Sequence, residues 1–551
     1  MLAGSAVATG TPDQGVPTAG RRPAAVRRRV DGYRAGVGAI TAALGAFLLL
    51  RLHALPPHED EALAFFVSRR PLGEVLETVL GERGGAPLHY LMAHAAGRID
   101  PGLTSLRLIS VAFAVASMPV VAALVARLTE RRTAVYATLV TAVSWTTLYH
   151  GIYARMYSLF LFTSALSLLL LLRALERGTR GRWALWAGAT LALLATQPYG
   201  VLVLAAEVVY VGLLRLRRPL PLRAPLVALA AVVVLAGPLW RTYFLLASRF
   251  EVGLGAGSGS ELGSPLDLVE YLWEVLGDFT AGWLAVSVPV ALVAVLGLVV
   301  LARTRPESAQ LVGATVVVTA IALLAARSGA GASLETRHLI FLLPLFATAF
   351  AVGLRRLATG AGRAGSTVVV AGLGLVLAAQ IAWGLERTRW LYTGEPEPRA
   401  EARAQAAGWL AAGGRAGDVL FGYEPTYLDA WEKGAPFGEI FVPRADPVLA
   451  VQALEEAGEP LGRGVWVLDA SDELDQDRVR LTIPPASPGS AFEVRAFGPF
   501  LVLRTREPTG TTEDFFVATL AVQELAVELD IGDAGRNLLT AEQALEDLTA
   551  R

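Results

Sequence analysis

Two carboxylates, two isolated arginines and a group of tyrosines and histidines are the residues here whose types and placing suit chemistry. Asp60 and Glu61 lie in P-P-H-E-D-E-A-L, directly after the first long apolar run. A carboxylate at the edge of a bilayer, among apolar residues, is placed to act as a general base, since partial desolvation raises its pKa toward a useful range. The same pair would also cap a helix over 62–70, and each member can take one role. Arg155 and Arg337 stand beside the ends of apolar runs, in Y-H-G-I-Y-A-R-M-Y (149–157) and E-T-R-H (335–338). A guanidinium offers phosphate oxygens a planar fork of donors; at an interface it also serves as a headgroup anchor. Tyr149, Tyr153, Tyr157 and Tyr199 suit an aromatic belt at interface depth, and equally a platform for a sugar face. His58 and His338 adjoin these groups in sequence, and His89 and Tyr90 occupy the short segment A-P-L-H-Y-L (86–91). His89 and His94 do not share a helical face well, so no metal pair is expected. No H-E-x-x-H, phosphate-loop or nucleophile-elbow pattern occurs.

Positioning these residues falls to membrane helices. The chain of 551 residues is 54% hydrophobic and 18% charged, against about 25% charged in a typical soluble domain. Apolar runs long enough to cross a bilayer recur between Gly36 and Gly384. A net charge of −1 gives no field that points to nucleic acid, and the lack of cysteine excludes disulfides and thiolate metal sites. Residues 1–34 read as a disordered basic cytoplasmic tail. The basic connections 127–132, 173–182, 215–223, 303–306 and 355–363 all lie inside provided that Pro87 to Ile99, too short to span, lies along the interface. Spans are then expected near 36–52, 106–127, 134–150, 157–174, 183–197, 199–214, 224–240, 280–302, 310–326, 338–354 and 365–384, about eleven in all. That odd number puts the N-terminus in the cytoplasm and the C-terminal region outside. Nearly every histidine, both candidate acids and both isolated arginines then fall on the outer face. The outer loop 241–279 carries a glycine-rich stretch (253–264) suited to a lid or an ordinary loop, followed by a helical pattern over 264–276.

These pieces, in this order, resemble the GT-C glycosyltransferases, in the branch of protein O-mannosyltransferases and lipid A aminoarabinose transferases (family 39/83-like). The resemblance rests on H-E-D-E-A (58–62), A-P-L-H-Y-L (86–91), Y-A-R-M-Y-S-L (153–159), Q-P-Y-G (197–200) and R-H-L-I-F-L-L-P (337–344), and covers roughly residues 35 to 385. It implies a mainly α, polytopic transmembrane GT-C fold with juxtamembrane helices in the first outer loop. It also implies a multi-pass plasma-membrane enzyme that takes a sugar from a polyprenyl-phosphate donor, with inversion, to a glycan, lipid or protein acceptor of the cell envelope. Asp60 would then be the catalytic base. Arg155 and Arg337 would hold the lipid phosphate, and Glu61, His58, His89, Tyr90, Tyr149, Tyr153, Tyr157, Tyr199 and His338 would line the substrate pocket. No cofactor is required, and a divalent metal is not excluded. Two departures stand out: Tyr153 replaces an acidic residue of the family's seam, and G-A-P-L-H-Y (85–90) replaces H-P-P-L-Y-Y.

After about Glu386 the composition becomes soluble. P-E-P-R (396–399) reads as a linker. A helix near 400–412, strands at 418–423, 464–469 and 492–505, and two acidic helices over 513–551 suggest a small extracytoplasmic α/β domain (386–551). Asp418 and Asp469 read as turn or cap residues. A lipid-linked sugar flippase and a non-catalytic GT-C scaffold are the alternatives. A flippase calls for polar residues in mid-span and on both faces, and here they gather on one.

Overall fold

A computed structural model of the chain describes residues 31–83, 87–250, 265–326, 335–437, 440–444, 446–471, 483, 486–532 and 534–550. The N-terminal tail to residue 30 and the glycine-rich stretch 253–264 lie outside the described residues.

The apolar runs fold as helices. α1 (Gly32–Leu50) leads into a short amphipathic group: α2 (Glu59–Arg69), α3 (Leu72–Glu77), a π-helical turn (Thr78–Arg83) and α4 (Pro87–Gly97). At 11 residues α4 is too short to span, as expected, and it buries His89, Tyr90 and Ala93. Next come α5 (Leu103–Leu128), α6 (Arg131–Val143), α7 (Trp145–Ile152), α8 (Tyr157–Arg177), α9 (Arg180–Thr196) and α10 (Gly200–Arg217). α11 (Arg223–Leu235), α12 (Gly237–Phe250), α13 (Pro265–Thr280), α14 (Leu284–Thr304), α15 (Pro306–Ala326), α16 (Leu343–Gly360), α17 (Gly365–Arg387) and α18 (Trp390–Thr393) complete this part.

Among the described residues, seven helical stretches are long and apolar enough to cross a membrane, and the pair α11–α12, bent by 56°, makes an eighth. This is fewer than the eleven expected, for local reasons. The expected span 134–150 is broken at Ser144, whose ψ of 133° ends α6. α7 starts afresh there, and its freed Trp145 N–H donates to Gln380 Oε1 at 2.6 Å. α9 has only 17 residues, and α10 carries Glu207, Arg215 and Arg217. α14 and α16 cross at Gly297 and Gly353. A Cβ on Gly297 would lie 1.8 Å from the Ala349 carbonyl oxygen, and one on Gly353 would lie 1.9 Å from that of Val293. Only glycine permits so close a backbone approach.

The C-terminal domain is built on a five-stranded sheet ordered β2-β1-β3-β5-β4, comprising β1 (Val419–Phe421), β2 (Ile440–Val442), β3 (Gly464–Asp469), β4 (Phe492–Phe497) and β5 (Phe500–Thr505). β2, β1 and β3 are parallel, β5 runs antiparallel to β3, and the edge strand β4, antiparallel to β5, returns to the direction of β1–β3. The helices are α19 (Glu397–Gly413), α20 (Pro425–Glu432), α21 (Pro447–Ala457), α22 (Thr512–Glu528) and α23 (Ala534–Ala550). Both sheet faces are covered, so the central strands read as unbroken apolar runs. Alternation along each strand still sorts them. Val419, Phe421, Trp466, Leu468, Leu501 and Leu503 join a core with α21, α22 and α23. Leu420, Val465, Val467, Phe500 and Val502 join a second core with α19 and α20. P-E-P-R is not a linker: it opens α19, with Pro398 in the first turn where a missing N–H costs nothing. The stretch 492–505 is a hairpin turning at Gly498, whose φ is +53°. Asp418 and Asp469 do more than shape turns, since Arg463 and Arg399 respectively pair with them.

Candidate active site

The acidic run Glu59–Asp60–Glu61 forms the first turn of α2, and its three carboxylates go to three different places. Glu61 is fully buried. Its carboxylate accepts from Arg107 Nε at 3.0 Å and Nη2 at 2.7 Å, and from the Ala154 N–H at 2.7 Å. Its second oxygen also accepts from the His58 N–H at 3.1 Å, while His58 Nδ1 accepts from the Asp60 N–H at 3.0 Å, closing a capping box. His58 and Glu61 therefore do the capping. Glu61, expected from the family resemblance to line the substrate pocket, is instead walled in: α5 and the α7–α8 break consume both its oxygens.

Asp60 projects to where three segments converge. These are the break after α7, which carries Tyr153 and Arg155; the start of α8, with Tyr157; and the 3-10 turn Thr336–Leu342, which carries Arg337 and His338. Tyr153 Oη donates to Asp60 Oδ2 at 2.9 Å and lies 3.0 Å from His58 Nδ1. Arg155 Nη2 is 3.6 Å from Asp60 Oδ1, and Arg337 Nη1 is 3.6 Å from Asp60 Oδ2. Burial by itself raises the Asp60 pKa. Arg155, Arg337, His58 and the Tyr153 hydrogen bond outweigh it and hold the carboxyl well below the usual range. Burial, aided by Arg155, pushes His89 down to about 3, so it is neutral near pH 7.

Aromatic rings wall the site. Arg337 sits over the Tyr157 ring at 5.2 Å, and His338 stacks on Tyr199 at 4.6 Å and 14°. Tyr149 stacks between Trp145 and Tyr153, both at 5.4 Å. Tyr90 is buried in α4 beside His89, with ring centroids 5.7 Å apart. The structure thus brings Asp60, His58, Tyr153, Tyr157, Arg155, Arg337, His338 and Tyr199 together. Tyr149 forms a second layer behind Tyr153.

Sequence reasoning missed Arg107, although an arginine five residues into a long apolar helix was a visible signal. It also missed Asp278, whose carbonyl accepts from Ser144 and Thr146 and whose carboxylate accepts from Trp383 Nε1 at 3.2 Å. Nothing local in the sequence marks that residue.

Asp60 faces two guanidiniums, and among the described residues no three His, Asp or Glu side chains come together as metal ligands. The donor set suits an anion rather than a divalent cation. Arg155 Nε is buried with no hydrogen-bond partner among the described residues, which leaves a donor for an incoming oxygen.

Residues 85–240 match the family model described as dolichyl-phosphate-mannose-protein mannosyltransferase. That stretch contains α4, the Tyr153–Arg155 break and Tyr199. Among solved structures, the chain is similar to apo ArnT from Cupriavidus metallidurans, with a TM-score of 0.54 and 14% identity, covering 86% of this chain and 98% of that one. An oligosaccharyltransferase from Archaeoglobus fulgidus matches more loosely, with a TM-score of 0.44 and 12% identity over 77% of this chain and 67% of the other. No curated protein matches. The chain has the fold of the GT-C membrane glycosyltransferases.

Proposed function

We propose that this protein is an inverting membrane glycosyltransferase that moves a sugar from a polyprenyl-phosphate donor to an acceptor hydroxyl of the cell envelope, on the outer face of the membrane. The observation that carries the reading is Asp60 set between Arg155 and Arg337, 3.6 Å from each, with the Tyr153 hydroxyl at hand, while Glu335 pairs with the other side of Arg337 at 2.5 Å. A base beside a phosphate-binding fork is what such a transfer needs. The acceptor hydroxyl gives its proton to Asp60 as its oxygen bonds to the anomeric carbon. The bond from that carbon to the phosphate oxygen breaks, and the electron pair leaves on the lipid phosphate, where the two guanidiniums stabilise it. Attack opposite to the leaving group inverts the anomeric centre.

Asp60 offsets part of the charge of Arg155 and Arg337, and Glu335 offsets more of it at Arg337. An arriving phosphate competes for these arginines, and each contact that it takes over raises the basicity of Asp60. Donor binding thereby switches on the base. The 3.6 Å spacing, longer than a tight ion-pair hydrogen bond, keeps that exchange cheap. The acceptor is a glycan, lipid or protein. The aromatic wall of Tyr157, Tyr199 and His338 supports a sugar-binding role.

The test is transfer from a panel of radiolabelled polyprenyl-phosphate sugars to a membrane extract. Wild type should label an acceptor. Asp60→Asn should lose transfer yet still bind donor, and Arg155→Ala should bind donor about tenfold or more weakly, the size of one lost charge-assisted contact. Equal activity in all three proteins sinks the assignment of the site. Donor binding without transfer in wild type favours a flippase or scaffold.

A further inference from the structure

The acidic run at the head of α2 has one arginine partner not yet used. Glu59, immediately before Asp60, is gripped from the C-terminal domain. Arg444 Nε donates to Glu59 Oε1 at 3.1 Å, and Arg444 Nη2 pairs with the other oxygen. The remaining arm of Arg444 pairs with Glu424. Arg444 follows β2 by two residues and Glu424 follows β1 by three, so both project from the carboxyl ends of adjacent parallel strands. Gly422 makes room for this: its φ is +79°, and a Cβ there would lie 2.7 Å from Arg444 Cδ.

We infer that Arg444 is a positioning residue for Asp60, so that the C-terminal domain completes the active site. The inference rests on the glycosyltransferase reading above. Docking alone does not require Arg444. The two parts already share apolar contacts: Phe66 against Phe441 at 4.4 Å, Phe65 against Trp431 at 5.3 Å, and Arg69 over Trp431 at 3.9 Å. Ring contacts of this kind tolerate small rotations and slides of the helix. A forked guanidinium–carboxylate pair fixes an angle. Arg107 fixes Glu61 on one side of Asp60, and Arg444 fixes Glu59 on the other.

The test uses the full chain, comparing wild type, Arg444→Gln, Arg444→Lys, Glu59→Gln and the double variant Glu59→Gln/Arg444→Gln. Four quantities are read: kcat, KM for the donor, the thermal midpoint, and hydrogen exchange over residues 58–62. Arg444→Gln should lower kcat about ten- to a hundredfold, the scale of a small misplacement of a catalytic group. It should speed exchange over 58–62, and Glu59→Gln, which keeps the pair between Arg444 and the buried Glu424, should speed the same exchange with the thermal midpoint nearly unchanged. Arg444→Lys should recover part of both losses. The double variant should be no worse than Arg444→Gln, since both changes break one pair. Unchanged exchange over 58–62 in Arg444→Gln overturns the inference. So does a fall in kcat matched by a general loss of stability that Arg444→Lys does not relieve. If wild type transfers no sugar, the functional reading fails, and the exchange data still decide whether Arg444 holds the α2 turn.

Discussion

At the scale of single residues, the proposed chemistry turns on the charge of one carboxylate. Asp60 works as a base only when ionised, and its neighbours hold its pKa below the usual range. The acid limb of kcat/KM in wild type should therefore lie below about pH 4, the position for an unperturbed aspartate. Arg337→Gln removes one of the lowering charges, so its acid limb should move upward, toward the ordinary value. A pH profile unchanged in position would remove Asp60 as the titrating base. The same depressed pKa contributes stability that is present above the unfolded value and is lost as pH falls through the folded one. Tyr153→Phe deletes the hydroxyl that donates to Asp60 at 2.9 Å. It should cost about 1 kcal/mol of transition-state stabilisation, roughly fivefold in kcat/KM. A Tyr153→Phe enzyme as fast as wild type would assign that hydroxyl to packing alone.

At the scale of elements, the site is three interruptions in helices: the head of α2, the break between α7 and α8, and the 3-10 turn before α16. Each was legible, because each places polar residues in short motifs between apolar runs. What held them together was not legible. The Glu61–Arg107 pair joins residues 46 apart in sequence, and a pairing of that kind leaves no local pattern. The run of three residues in β2 was too short to stand out. The crossing of α14 and α16 depends on two glycines whose neighbours become visible only in space. These hidden supports carry their own expectations. Arg107→Met strands the fully buried Glu61 carboxylate and should destabilise the protein by about 3–5 kcal/mol. Its thermal midpoint should drop by several degrees, whereas Arg180→Met, on an exposed helix start, should leave it in place. Equal midpoints for the two would show that Glu61 is not the anchor of the α2 turn.

At the scale of the whole molecule, Asp60 lies where the membrane part meets the C-terminal domain. Phe65, Phe66 and Tyr90 share one core with Leu410, Tyr427 and Phe441. Asp60 and the sheet must then lie on the same side of the membrane, whatever the number of spans. For the side we rely on the positive-inside rule, by which the basic clusters 127–132, 215–223 and 355–363 are expected in the cytoplasm and Asp60 is proposed to face outward. The chain has no cysteine, so single cysteines report topology without a background. A cysteine at Glu456, exposed on α21, should react in whole cells or right-side-out vesicles with a thiol reagent that cannot cross the membrane. One at Arg356, on the exposed end of α16, should react only after permeabilisation. The reverse pattern would move Asp60 to the cytoplasmic face, where a nucleotide-sugar donor is as accessible as a polyprenyl-phosphate one, and the proposed transfer would lose its setting. Labelling at both positions in sealed vesicles would break the joint placement of membrane part and sheet on which the site depends.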